Sequence, residues 1–190
     1  ADKIHLAAIC VEVAMAAAIE DINIVQRPNG KVKESTAIAG LLIDGEKLDH
    51  VMPDAVEDPK IGLIAADIDI PDYAQQLNVQ LKDNSGVKEF IDSRNAQLVE
   101  IGERLKATGL NVLFCSRELH PAIIEHLAAH NIYAVRRVRR SDMEALAKAT
   151  GARIVMNIDT FSDKDLGASD LLEEVSIGER PMIKITGTPN

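Results

Sequence analysis

The sequence contains no tryptophan, and aromatic residues make up only 3% of its 190 residues. A chain with so few large aromatic side chains must build its core from aliphatic ones. It also offers no aromatic platform on which nucleic-acid bases could stack. The net charge of -9 adds a field that repels phosphate. Together these features argue against nucleic acid as a partner.

Long apolar runs and paired cysteines are also missing. No run approaches the roughly 20 residues that cross a bilayer, and the first residues show no basic region followed by an apolar one. We therefore expect neither a membrane span nor a signal peptide, and no membrane partner. Cys10 and Cys115 lie inside apolar runs and outside any metal-type spacing. This placement predicts buried free thiols in a reducing, cytoplasmic compartment.

No complete catalytic motif is present. Residues 40–47 resemble a phosphate-binding loop, but Lys47 stands one place late and Leu48 replaces the hydroxyl that would bind a metal. The first half of this segment is strand-like, where the motif requires a loop. We therefore predict a strand and turn here, and we assign no catalytic residue and no cofactor to this chain.

Two groups of side chains leave open the alternative of a small metal-dependent α/β enzyme. His126 and His130 have the i, i+4 spacing that places two imidazoles on one helix face, where they could hold a divalent metal. No third ligand is evident, so the sequence favours solvent-facing histidines, and we assign no metal ligands. Asp67, Asp69 and Asp72 follow a buried strand and are better explained as a solvated acidic edge.

The order of predicted elements indicates an α/β fold. Residues 3–19 predict a helix, and residues 22–33 a β-hairpin around a Pro-Asn-Gly turn. Strands and helices then alternate, which is typical of parallel βαβ units with right-handed crossovers. Strands are predicted at residues 38–43, 61–66, 77–81, 112–115, 132–135 and 154–157, helices at 87–108, 118–130 and 141–150, and a final pair of strands within 170–185.

Residues 134–154 combine a strand, an arginine cluster and a helix. Ser141 followed by Glu144 predicts a capping box, and Gly151 predicts the end of the same helix. The cluster could be a nucleic-acid patch, but the acidic chain around it favours ion pairing, either between subunits or with helix acids. A pure assembly module is therefore a further alternative. The arginines are Arg136, Arg137, Arg139 and Arg140.

Several segments carry a resemblance to a known family. They are G-L-L-I-D-G-E-K-L-D-H-V-M-P-D-A-V-E-D-P-K-I-G-L-I at residues 40–64, A-T-G-L-N-V-L-F-C at 107–115, and residues 132–158 with the words R-R-V-R-R-S-D-M-E and A-T-G-A-R-I. In order and spacing they resemble the apical domain of the group II chaperonins, the family of the archaeal thermosome and its eukaryotic cytosolic relatives. By this resemblance, residues 1–37 form part of an intermediate domain, residues 38–183 an apical domain with a helical lid near 77–98, and residues 184–190 a return strand.

The resemblance implies a cytoplasmic molecular chaperone that binds unfolded polypeptides and neighbouring subunits in an ATP-driven double ring. ATP and Mg²⁺ would belong to the full-length parent, because the nucleotide-binding and catalytic motifs of the family are absent here. We therefore expect no enzyme activity from this chain alone. The resemblance places substrate contacts on the lid and on the helix after Cys115. Since about half of the apolar residues on an amphipathic helix face its own core, we expect Ile124 and Leu127 to be core residues. The candidates are Leu81, Val87, Phe90, Ile91, Leu119, Ala122, Ile123 and His126.

Overall fold

The structure is a computed structural model that describes residues 2–16, 22–26, 30–69, 84–177 and 180–189, with the backbone alone for residues 84–94. Its helices and strands alternate along most of the chain, which confirms the α/β class. In chain order they are α1 (Asp2–Ala16), β1 (Gly40–Asp44), β2 (Ala55–Glu57), β3 (Lys60–Ile64), α2 (Asn84–Ala107), β4 (Val112–Cys115), α3 (Pro121–Ala129), β5 (Tyr133–Val135), α4 (Arg140–Thr150), β6 (Ile154–Val155), β7 (Gly167–Ala168), β8 (Leu171–Ile177) and β9 (Arg180–Thr186).

A parallel sheet forms the centre of the fold, with strand order β5-β4-β3-β6 and β7 added antiparallel to β3. The register places Leu63 of β3 beside Phe114 of β4, and Phe114 beside Val135 of β5. All four residues of β4 are buried, because helices or a second sheet cover both faces of a parallel sheet of this kind. The predicted βαβ units are therefore confirmed.

The second sheet is antiparallel, with strand order β1-β9-β8-β2. β8 and β9 form the predicted final pair of strands. Gly40 at the start of β1 pairs with Thr186 at the end of β9. Residues 184–186, expected to begin a return segment, are thus the last residues of β9. The proposed division into domains stays a prediction.

Two apolar clusters lie on opposite sides of the parallel sheet. Alternate residues of β4 enter different clusters, Phe114 on one side and Leu113 on the other, since successive side chains of a strand point to opposite faces. Phe114 packs with α4 and the antiparallel sheet, whereas Leu113 packs with α2 and α3. The sheet is therefore the middle layer, and α2 and α3 form one outer layer.

The N-terminal region differs from its prediction. Residues 22–26 form no strand, and Val32–Glu34 form a short 3-10 turn, so the predicted hairpin is wrong for the described residues. An isolated two-stranded hairpin is only marginally stable without a sheet or helix to cover it. α1 confirms the predicted helix to Ala16, and the last predicted residues, 17–19, lie outside the described part.

The predicted capping box on α4 is also wrong. The N-cap residue is Arg139, whose side chain makes no capping hydrogen bond. Glu144 instead pairs with Arg140 at 2.8 Å, one helical turn earlier. The predicted end of the helix is confirmed, since Gly151 adopts the left-handed conformation with φ of 75°. In the described part of the chain, no helix has the length and hydropathy of a bilayer-crossing segment.

The two cysteines differ in environment. Cys115 is buried, as predicted, and burial raises the pKa of its thiol to about 11. Cys10 is exposed on α1, contrary to the prediction, because no residue of α1 is buried against the rest of the described chain.

We expect a thiol reagent at neutral pH to modify one cysteine quickly in the native protein and the second only after unfolding. The thiolate is the reactive form, and the raised pKa of Cys115 keeps its thiol protonated at neutral pH. Time-resolved labelling with a chromogenic disulfide checks this. Cys10→Ser should remove the fast phase, and a fast phase that persists in Cys10→Ser would contradict the assignment.

Candidate functional site

Helices α2 and α3 carry most of the predicted contact residues and pack against each other on one face of the parallel sheet. Leu98 and Leu105 anchor α2, and Leu127 anchors α3. α3 begins at Pro121 after the N-cap residue His120, whose Nδ1 accepts a hydrogen bond from the backbone N–H of Ala122. The helix therefore starts later than the predicted residue 118, because proline suits the first helical position.

The exposure expected for Leu119 and Ile123 is wrong. They are 2% and 0% exposed and belong to the core between the helices and the sheet. Neither can contact another protein while the fold is intact. Leu127 is fully buried, as predicted, whereas Ile124 and Ala122 are only partly buried at the edge of this core.

The predicted lid is described only in part. Leu81 and the predicted strand at residues 77–81 lie outside the described residues. Val87, Phe90 and Ile91 lie on α2, for which the structure gives the backbone alone at these positions. α2 begins at Asn84, one turn before the predicted start, and continues without a break for 24 residues.

Val99 is a candidate that the sequence reasoning missed. Its side chain is 50% exposed on α2, directly after the buried Leu98. The helical period could have predicted this exposure. Leu98 and Leu105 lie on the buried face of α2, and Val99, the residue after Leu98, points to a different side of the helix. An aliphatic side chain at this position lies in solvent on a firmly anchored helix.

A polar cluster lies between the two helices. Nε2 of His126 is 3.4 Å from a carboxylate oxygen of Glu103, and the rings of His126 and His130 have centroids 4.4 Å apart. Burial, followed by the neighbouring His130, lowers the pKa of His126. The His126 side chain is only 13% exposed, so the expectation of a solvent-facing residue is wrong for it. Glu103 was missed because it comes from the other helix.

Gly102 permits this arrangement. A Cβ atom at this position would lie 2.5 Å from Cδ2 of His126, closer than such atoms ever approach. Only a residue without a side chain lets the imidazole rest directly on the backbone of α2. The ring is thereby held beside Glu103, the next residue of that helix.

One aspartate of the predicted acidic edge after β3, Asp67, holds two loops together. Oδ1 of Asp67 accepts a hydrogen bond from the backbone N–H of Glu118 at 3.2 Å, which ties the loop after β3 to the loop before α3. Asp72 lies outside the described residues. The three aspartates are therefore not shown to form one group.

The arginine cluster is paired within the chain, as the sequence reasoning favoured. Each arginine has a carboxylate partner on the loop before α3 or in the first turns of α4. These exposed pairs contribute little stability because water screens them, but their three carboxylates offset most of the charge of the four arginines. The pairs are Arg136–Glu118 at 3.4 Å, Arg137–Glu118, Arg139–Asp142 at 3.0 Å and Arg140–Glu144 at 2.8 Å.

Comparison with known proteins decides the family. A sequence profile described as the TCP-1/cpn60 chaperonin family matches residues 1–190. The chain belongs to the TCP-1/cpn60 chaperonin family. The resemblance to group II chaperonins noted in the sequence is thereby confirmed for this chaperonin chain.

Thermosome subunits are among its relatives. The beta subunit from Thermoplasma acidophilum is 36% identical over 171 residues, which cover 90% of this chain and 32% of the relative. The thermosome subunit from Methanocaldococcus jannaschii is 36% identical over 187 residues, or 94% of this chain and 34% of the relative. The chaperonin chain thus spans about a third of the length of these curated relatives.

A solved structure shows the same fold. The open-state monomer of a group II chaperonin from Methanococcoides burtonii is similar to this chain with a TM-score of 0.66 at 30% sequence identity. The similarity covers 80% of the present chain and 32% of the other.

Proposed function

We propose that this chaperonin chain binds unfolded polypeptides through the outer surface of α2 and α3, and that it works as the apical part of a longer, ring-forming subunit. The observation that carries the proposal is the anchored helix pair itself. Leu98 and Leu127 fix the helices to the sheet, while Val99 remains half exposed. Exposed, adaptable apolar side chains on a fixed support suit partners of varied sequence.

The proposed contact surface differs from the one expected from sequence. Leu119 and Ile123 are excluded because they are buried, and His126 lies between the helices rather than on their outer side. Val99 joins the surface, and the partly buried Ala122 lies at its edge. The lid residues expected from the sequence remain part of the proposal: Leu81, Val87, Phe90 and Ile91.

The character of α1 supports a longer parent subunit. Its apolar residues Ile4, Val11 and Met15 are 77%, 59% and 84% exposed, and none of its residues is buried. An apolar helix of this kind needs neighbours to cover it. We assign that cover to parts of the subunit beyond the third that this chain represents. ATP and Mg²⁺, contacts with neighbouring subunits and the ring cycle in the cytoplasm belong to that whole protein.

The experiment measures aggregation of a chemically denatured test enzyme after dilution, by light scattering and without ATP. The chain should suppress aggregation. Phe90→Asp combined with Ile91→Asp should weaken the interaction at least about tenfold, equivalent to ~1.4 kcal/mol, because two apolar contacts are replaced by charges. Asn95→Asp with Gln97→Asp changes the charge of the same helix equally, at exposed polar positions, and should keep the wild-type effect.

A further variant separates this surface from α1. Ile4→Asp with Met15→Asp places charges on two exposed apolar positions of α1 and should leave suppression unchanged. If this variant loses the effect while the α2 variant keeps it, unfolded protein binds α1 and the proposal is wrong. Circular dichroism of every variant confirms that the fold is retained.

A further inference from the structure

Three side chains of metal-binding type meet where α2 packs against α3. Glu103 comes from α2, while His126 and His130 come from the end of α3, and one ligand atom of each lies within 4.8 Å of the others. The distance between Nε2 of His126 and the nearer oxygen of Glu103 is 3.4 Å. Two atoms that bind one tetrahedral zinc ion at about 2.0–2.2 Å are themselves about 3.4 Å apart. Two of the three groups therefore already have the spacing of metal ligands.

The hydrogen bonds of the histidines leave ring nitrogens available. Nδ1 of His130 lies 2.8 Å from the backbone carbonyl of His126. When Nδ1 carries the ring proton and donates a hydrogen bond to this carbonyl, the lone pair of the ring is on Nε2. Metal-binding histidines commonly show this same pattern, with the second ring nitrogen donating to a carbonyl or carboxylate.

Nε2 of His126 is buried and makes no hydrogen bond among the described residues, although an oxygen of Glu103 lies 3.4 Å away. A buried polar atom of this kind is uncommon, because it loses the hydrogen bonds that water would make and gains none in return. The ring rests directly against Gly102, where an added Cβ atom would lie 2.5 Å from its Cδ2. A metal ion at this position would satisfy the nitrogen.

We propose that Glu103, His126 and His130 form a binding site for a divalent metal ion of the zinc class, which links α2 to α3. Two imidazoles and one carboxylate suit zinc and similar transition metals, whereas Mg²⁺ and Ca²⁺ prefer ligand sets made only of oxygen. Lys106 is the competing partner of Glu103, at 3.8 Å. Both side chains of that pair are about half exposed, so the pair is weak and a metal can displace it. The site stands on this geometry alone and does not depend on the proposed function.

The test uses the whole chain, without an affinity tag and after dialysis against a chelator. Titration with Co²⁺, followed by visible absorption, should show one equivalent bound with the intense bands of a four- or five-coordinate ion, and Zn²⁺ should displace it. Glu103→Gln, His126→Gln and His130→Gln should each weaken binding at least about a hundredfold, beyond the loss typical of outer-shell changes.

Two variants sharpen the result. His50→Gln removes a histidine whose side chain is 94% exposed, and it should bind the metal as the wild type does. Gly102→Ala keeps all three ligands but pushes a methyl group into the His126 ring, and it should also lose affinity.

Glu103→Gln separates a loss of metal binding from a loss of the fold. The Glu103 side chain is 52% exposed, so its replacement leaves the apolar core unchanged. Zn²⁺ should raise the thermal midpoint of the wild type but not that of this variant. The site is refuted if wild-type binding is weaker than about 100 µM, or if Glu103→Gln binds as tightly as His50→Gln.

Discussion

Replacing Phe114 by alanine should lower the free energy of unfolding by about 3–5 kcal/mol, the range found for large-to-small changes of buried aromatic residues. Phe114 is fully buried in β4, between Leu63 of β3 and Val135 of β5. Among the described residues it is one of the two largest fully buried side chains, together with Tyr133. Tyr133, the other aromatic residue of the same cluster, is itself fully buried, so moving its ring into the space that the phenyl group leaves would open a cavity elsewhere in the core.

The measurement is chemical unfolding followed by far-ultraviolet circular dichroism, since a chain without tryptophan gives little fluorescence signal. Ile24→Ala is the control, because Ile24 is 80% exposed and its change should stay within about 0.5 kcal/mol. A loss below about 2 kcal/mol for Phe114→Ala would show that the sheet rearranges to fill the cavity.

The central strands were predictable because a strand that is buried on both faces appears in the sequence as a continuous apolar run. The run at residues 112–115 predicted β4 with its bounds, and Gly151 predicted the end of α4. These features depend on neighbours along the chain. Most of α2 was predictable for the same reason, although the helix begins at Asn84, three residues before the predicted residue 87.

The features that could not be predicted from the sequence are those that depend on contacts between distant segments. Leu119 and Ile123 belong to an amphipathic segment, but which side faced the sheet depended on where α2 packs. Glu103 reaches His126 only because both helices cover the same face of the sheet. The carboxylate at Asp165 is a further example, since one of its partners, Arg153, lies on the other side of a loop.

Asp165 is a buried charge, with only 2% of the residue exposed. One oxygen accepts hydrogen bonds from the backbone N–H and the hydroxyl of Ser162, at 2.9 and 3.0 Å. The other oxygen lies 2.7 Å from Nε of Arg153. Together these contacts close the short turn Asp163–Asp165, directly before Gly167 of β7 pairs with β3. The carboxylate thus holds the returning chain against the parallel sheet.

Asp165→Ala should therefore cost about 3 kcal/mol of unfolding free energy, because hydrogen bonds to a charged group are lost and the partners of a buried carboxylate are left unsatisfied. Asp165→Asn should cost about 1–2 kcal/mol, since the amide keeps the shape and one acceptor but loses the charge. Chemical unfolding of both variants measures the two values.

Asp163→Ala is the matched control for this site. It removes a carboxylate from the same turn, but from an exposed position, and its effect should remain within about 0.5 kcal/mol. Equal losses for the alanine variants of Asp163 and Asp165 would mean that the turn depends on its general charge and not on the buried contacts. A clear difference would locate the stabilisation in the bonds to Ser162 and Arg153, which are specific to Asp165.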